Sequence, residues 1–383
     1  MQTSCVRLNK RFALVCSGFL LILFTGEHFF QFSRFPSWKI YDLFTQLNQR
    51  FTPPPPALRE ITIVGIDSDT IAQMKERWPY SRSTFAKVIA NLRGAGARAV
   101  GLDFSFFGNS SPEEDMPLRN TVTDGTRVIL GASLKENQGI QFSTLSGLED
   151  PHLAGIVNKL QDSDGVTRNA LTYLVETRHG AAERRFFSWE MKLLQAGGGT
   201  ELDLLEDGGN ILILKNSLGE TKLPVDPATK TFPIRFRAHT GDFKRLSFHQ
   251  VFTGEFDGRQ VANKTVLIGF LSTLLQDLHR TPLGWLPGIT LNANAFLTLY
   301  ARDFLRPAPM LASQLVTGMG LLLTFLLTFR TARWVFGGLI LLEILAFFAL
   351  SYYLFSLGYQ WNYGLFPLGA LGIFILSFVC QRR

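Results

Sequence analysis

Long uncharged runs at both ends of the chain constrain it more than any other feature. Residues 12–26 carry no charge, and the apolar pattern continues to Phe30 past Glu27 and His28. Residues 309–329 are 21 uncharged positions, residues 334–357 are 24 with the single acid Glu343, and residues 363–380 are 18 uncharged positions. A hydrocarbon core about 30 Å thick needs about 20 helical residues, and backbone groups in lipid must bond within their own segment. The runs therefore predict four membrane-spanning helices, one before a long polar middle and three after it. The first run could instead be a signal-peptide core behind Arg7, Lys10 and Arg11. No small-x-small cleavage site follows it, so a retained anchor is the better reading. Val15 is a poor residue ahead of a lipidated Cys16.

Loop charge sets the orientation. Arg7, Lys10 and Arg11 precede the first run, Arg330 and Arg333 separate the second from the third, and Arg382 and Arg383 follow the fourth. The link between the third and fourth, residues 358–362, has no charge. All basic flanks then face the cytoplasm. Residues 34–308 lie outside the cytoplasmic membrane and both termini lie inside. These seven bases, less Glu27 and Glu343, give the ends +5 of the net charge of +7, and residues 34–308, with 31 bases and 29 acids, give only +2. Such a balanced middle excludes a nucleic-acid footprint. Hydrophobic residues at 46% and charged residues at 18% exclude disorder. Cys5, Cys16 and Cys380 all lie in or beside the apolar ends, so the outer domain must fold on its own hydrophobic core without disulfides.

The middle reads as α/β. After a short amphipathic stretch (Trp38, Tyr41, Phe44, Leu47) comes a stiff spacer, residues 53–56, of four prolines. Residues 61–66 read as a buried strand ending at Asp67, residues 84–93 as a helix closed by Gly94-Ala95-Gly96, and residues 98–102 as a second strand ending at Asp103. This is a βαβ unit, and its two parallel strands are expected to be neighbours. Further strands are expected at 127–132, 171–176, 211–214, 232–237 and 265–269, with helices at 187–195 and 291–300 and some antiparallel pairing. The layout is thus 1–33 with the first span, 34–58 as amphipathic helix and linker, 59–307 as a parallel or mixed sheet with flanking helices, and 308–383 with three spans.

Few motifs carry chemistry. Gly94-Ala95-Gly96 follows a helix and precedes a strand, the reverse of a dinucleotide-binding turn. Asp162-Ser163-Asp164-Gly165 lacks the later ligands of a calcium loop and reads as a turn. His152, His179, His239, His249 and His279 form no metal-ligand spacing, and there is no nucleophile elbow. No cofactor, metal site or catalytic residue is therefore expected. Ligands of open α/β sheets bind at the carboxyl edge, which makes Asp67 and Asp103, with Asp69, Arg82 and Asp277, candidates for a small-molecule or cation site. The plainer reading is that these aspartates cap helices and turns. Glu343, in a membrane helix, should face other helices, where it can pair with a Thr, Ser or Gln of the second span or be held protonated. It is a candidate relay or subunit contact, or simply a neutral packed acid.

Several blocks together resemble the type-2 CHASE domain, a cyclase/histidine-kinase-associated sensory extracellular domain. They are Ile63-Val64-Gly65-Ile66-Asp67, Arg77-Trp78-Pro79-Tyr80-Ser81-Arg82, the run from Gly94 to Phe104, Asp164-Gly165-Val166-Thr167-Arg168, Lys264-Thr265-Val266-Leu267-Ile268-Gly269, Asp277, Thr281-Pro282, Pro287-Gly288 and Asn292-Ala293-Asn294-Ala295. The resemblance covers roughly residues 59–307, and residues 109–150 lack clear family blocks. It implies a bacterial membrane sensor, with one span before the sensory domain and three after it, and no established ligand residues. Such domains usually precede a cyclase or kinase output. Here three residues follow Cys380, so the expectation is either a separate kinase or nucleotide cyclase as partner or a shortened relative of the family. An unknown small-molecule ligand and a homodimer complete the expectation. The alternatives are a non-sensing envelope scaffold and, less favoured, an extracytoplasmic hydrolase.

Overall fold

The computed structural model describes residues 10–124, 127–135, 139–141, 148, 150, 152–176, 184–198, 200–204, 211–217, 219–271, 277–328 and 333–380. Cys5, Arg7, His179, Arg330, Arg382 and Arg383 lie outside the described residues. The chain divides into two compact units, Gln49–Phe304 and the combined Met1–Asn48 and Leu305–Arg383.

Gln49–Phe304 is built on a mixed, mostly parallel sheet. Its spatial order is Lys244–Ser247, Ile61–Ile66, Thr265–Phe270, Ala99–Leu102, Val128–Lys135, with Ala154–Ile156 parallel to the last and Gly139–Gln141 antiparallel to it. All six residues of Ile61–Ile66 are buried, as a central strand covered on both faces requires. One face presents Ile61, Ile63, Ala99, Ile129 and Leu267 to the helices Trp189–Gly198 and Gly288–Tyr300. The other presents Val64, Ile66, Val100, Leu102 and Val266 to Phe85, Val88, Ile89 and Leu92 of the helix Arg82–Gly94. The class is a three-layer α/β sandwich, with small antiparallel pieces inserted, such as Tyr173–Glu176 on Arg184–Phe187 and the three strands centred on Ile211–Asn216.

Three expectations change. The strands ending at Asp67 and Asp103 are not neighbours, because Thr265–Phe270 lies between them and pairs with both. Residues 232–237 do not form one strand. Only Thr231–Pro233 pairs, with Asn169–Leu171, and Pro233 has no N–H with which to extend a ladder. Residues 171–176 likewise split into Asn169–Leu171 and Tyr173–Glu176.

A row of glycines lies on the face of the sheet that meets Trp189–Gly198 and Gly288–Tyr300. A Cβ on Gly101 would lie 2.4 Å from Trp189 Cζ2, and one on Gly155 would lie 2.5 Å from Trp189 Cα. A Cβ on Gly269 would lie 2.7 Å from Ile289 Cβ. The missing side chains let both helices sit directly on the backbone near the carboxyl ends of the strands. Trp189, fully buried, also donates its indole N–H to the Ile129 carbonyl at 3.3 Å.

The second unit contains the helix Lys10–Phe30, most of Arg34–Phe51, and the helices Met310–Leu327, Arg333–Ser356 and Leu365–Cys380. Among the described residues, two segments are long and apolar enough to cross a membrane, Phe12–Phe30 and Val335–Ser356. Leu311–Leu327 and Leu365–Val379 are apolar but shorter. Prolines or glycines at residues 309 and 364 start these helices later than the uncharged runs, so Leu365–Cys380, at 16 residues, rises ~24 Å. Leu14, Leu21, Met319, Leu342 and Val379 stand exposed on helix surfaces. Inside, Phe347 packs on Phe366 with ring centroids 4.5 Å apart. Thr324 donates to Glu343 Oε2 at 2.8 Å, one of the two alternatives the sequence leaves open.

Asn362 ties the ends of three helices together. Its Oδ1 accepts from the Ser33 and Ser37 hydroxyls at 2.9 and 2.8 Å and from Leu365 N–H at 3.2 Å. Its Nδ2 donates to Glu27 Oε1 at 2.9 Å. Beside it, Arg306 N–H bonds the Gly358 carbonyl and Ala308 N–H the Gln360 carbonyl, both at 2.7 Å.

Candidate functional site

The carboxyl ends of Ala99–Leu102 and Thr265–Phe270, which are adjacent strands, carry the densest group of perturbed acids. Asp103 follows the first strand directly. Its Oδ2 accepts from Asn292 Nδ2 at 3.0 Å. Asn292 belongs to the helix Gly288–Tyr300, twelve of whose residues are buried, and is itself fully enclosed. Asp277, following the second strand, bonds His279 Nε2 at 2.9 Å. Its backbone carbonyl takes the Gly288 N–H at 2.9 Å, and a Cβ on Gly288 would lie 2.3 Å from the Asp277 carboxylate. Glu190, buried in the first turn of Trp189–Gly198, and Lys159, just beyond Ala154–Ile156, complete the group.

Burial pushes Asp103 up to about 6. Lys159, the Asn292 N–H and His279 oppose the shift, and the negative Asp277 adds to it. Burial likewise pushes Glu190 up to about 7, against Lys159 and its own helix N–H, and the charge of Asp103 raises it further. Burial also works against ionisation of Asp277, but the His279 bond, Lys159 and the Gly288 N–H outweigh it and hold this carboxyl below the ordinary range. Two acids therefore change charge near neutral pH beside one that stays negative. Two polar atoms of the group, Asn292 Oδ1 and His279 Nδ1, are buried without a hydrogen-bond partner. Among the described residues, no three His, Cys, Asp or Glu side chains are placed to hold a metal ion.

Of the five aspartate and arginine candidates from sequence, Asp103 and Asp277 come together and the other three do not. Asp67 caps the helix Ser68–Gln73, accepting from Thr70 N–H at 2.8 Å. Asp69 is exposed in that helix. Arg82, buried, pairs with Asp115 and donates to the Phe107 carbonyl at 3.0 Å and to the Gly108 carbonyl. It fastens a loop instead of facing Asp103. A cleft of about 390 Å³ opens beside Asp67, Lys244, Arg245, Ser247 and Leu271, but none of the three acids around Lys159 lines it. The sequence reading missed Glu190 and Lys159. Glu190 carried a faint signal as the sole acid of its apolar helix, and Lys159 carried none.

The family model described as the CHASE2 domain matches residues 14–329, most of the chain. The chain belongs to the CHASE2 family, a family of sensory extracellular domains. The match extends beyond residues 59–307, beginning inside the first apolar helix and ending past Met310–Leu327. With its two long apolar helices, this is a membrane protein with a sensory domain. No curated protein and no solved structure matches it.

Proposed function

We propose that the chain is a membrane input protein of signal transduction. Its α/β domain binds a signal molecule outside the cell at the Asp103 edge and passes the change through its helices to a separate cytoplasmic kinase or cyclase. The observation that carries this reading is the Asp103–Asn292 bond. It ties the ligand-facing edge of the sheet to a buried helix that ends at Tyr300, and the chain enters Met310–Leu327 ten residues later. A ligand that prefers one position of that helix shifts the population of states, as any signal requires. Binding rather than turnover is the role assigned to the site, and a homodimer is the proposed working form.

The reading includes four spans, with residues 34–308 outside and both termini in the cytosol. Two observations support it. The Asn362 cluster gathers the end of the first helix, the start of Arg34–Phe51 and the start of the last helix. The Arg306–Gly358 and Ala308–Gln360 bonds gather the start of the second apolar helix and the end of the third. All the ends assigned to the outer face thus meet at one end of the bundle.

Hydrogen exchange on the full chain in lipid nanodiscs tests the relay. Asp103→Asn and Asn292→Leu should change exchange across residues 298–309. Unchanged exchange there, with altered exchange around Asp103, refutes it. Reporter fusions at residues 103 and 383 test the topology, and the same compartment for both overturns it.

A further inference from the structure

The group around Asp103 brings three carboxyls together. Asp103, Glu190 and Asp277 all feel the charge of Lys159, and His279 acts on Asp103 and Asp277 as well. Lys159 in turn spends a hydrogen bond on the Val157 carbonyl, at 2.5 Å. Buried charges are ordinarily paired, and buried polar atoms are ordinarily bonded. Here Asn292 Oδ1 is neither exposed nor bonded, although the Nδ2 of the same amide holds Asp103. Reversing that amide would turn an oxygen toward the ionised Asp103 carboxylate, so once Asp103 is charged the Nδ2 faces it and the Oδ1 is left over. The missing complement is a positive group with several N–H donors. A bare divalent ion does not fit, because no three acid or imidazole groups among the described residues are placed to surround one.

We propose that the corner formed by Asp103, Glu190 and Asn292 binds a small organic ammonium ion, whose N–H groups donate to Asn292 Oδ1 and to the two carboxylates. Charge-assisted N–H···O bonds of this kind are about twice as strong as neutral ones. The proposal rests on the sensor reading's choice of site and adds the chemistry of the signal.

Calorimetric titration of the full chain in nanodiscs at pH 8, where both carboxyls are ionised, tests it with methylammonium, 1,4-diaminobutane and acetate. Saturable binding of at least one amine is expected, weakened at least tenfold in Asp103→Asn and in Glu190→Gln and unchanged in Asp257→Asn, an exposed acid elsewhere. Wild-type protein that binds neither amine, binds acetate instead, or binds amines equally well in all variants overturns the proposal. Hydrogen exchange separates this from failure of the sensor reading. If Asp103→Asn alters residues 298–309 but no amine binds, the ligand class is wrong and the relay stands. If amines bind as predicted while residues 298–309 do not respond, the ligand class stands and the relay falls.

Discussion

The two raised acids make the stability of the sensory domain depend on pH in a direction opposite to that of most folded proteins. A carboxyl whose folded pKa lies above its unfolded one holds a proton that the unfolded chain has lost. Its stabilisation is complete below the unfolded pKa and disappears as pH rises through the folded one. For Asp103 that window runs from 3.8 to about 6, and for Glu190 from 4.5 to about 7. At 1.36 kcal/mol per pH unit, each group loses about 3 kcal/mol across its window. Between pH 5 and pH 8 the remaining loss from the two groups together is about 4 kcal/mol. Asp277, held low, contributes a slope of the other sign only in more acid solution. Native-state hydrogen exchange of the Ala99–Leu102 amides in the full chain in nanodiscs, corrected for intrinsic rates, reads this directly. Protection should fall roughly a thousandfold from pH 5 to pH 8, which is the same 4 kcal/mol. Asp103→Asn should remove part of the fall, and adding Glu190→Gln should flatten the curve. Protection that is flat or rising over this interval in the wild type would refute the burial argument for both acids.

Gly155→Ala should cost about 3 kcal/mol or abolish folding, because its Cβ would meet the Trp189 backbone, which cannot rotate away; urea unfolding followed by tryptophan fluorescence measures it. Trp189→Ala should cost about 4 kcal/mol by leaving a large cavity, read as a lower midpoint in the same experiment. Arg82→Met should cost about 3 kcal/mol by leaving Asp115 unpaired, with exchange rising first in residues 104–111. Asn362→Ala should lower the melting temperature of the helical unit by removing about 2 kcal/mol of hydrogen bonding, with no change in Ala99–Leu102 protection; a change there would contradict a local role.

What sequence made legible depended on how local the signal was. Ile61–Ile66 announces itself as an apolar, β-branched run, and the structure keeps those bounds. Lys244–Ser247, the edge strand, escaped because Leu246 is its one buried residue, too little for a period to register. The placing of Thr265–Phe270 between two strands that precede it by more than 160 residues is a long-range choice that no local pattern encodes. The same limit divided the site. Asp67 and Asp103 look alike in sequence, each an aspartate ending a strand, yet one caps a helix and the other meets Asn292. Glu190 reads in sequence as an ordinary acid favoured by a helix N-terminus. Its burial became visible only once Trp189 was seen lying against Gly101 and Gly155.

That bare strip of sheet has a mechanical meaning. Where side chains interlock, one element moves past another only by disengaging knob from hole. Trp189 and Ile289 rest on bare backbone at Gly101, Gly155 and Gly269, while Ile61, Ile63, Ile129 and Leu267 of the same face interlock with the two helices and hold them in place. Glu190 and Asn292 ride on those same helices, so charge gained or lost at the edge acts on elements seated without clearance against the sheet.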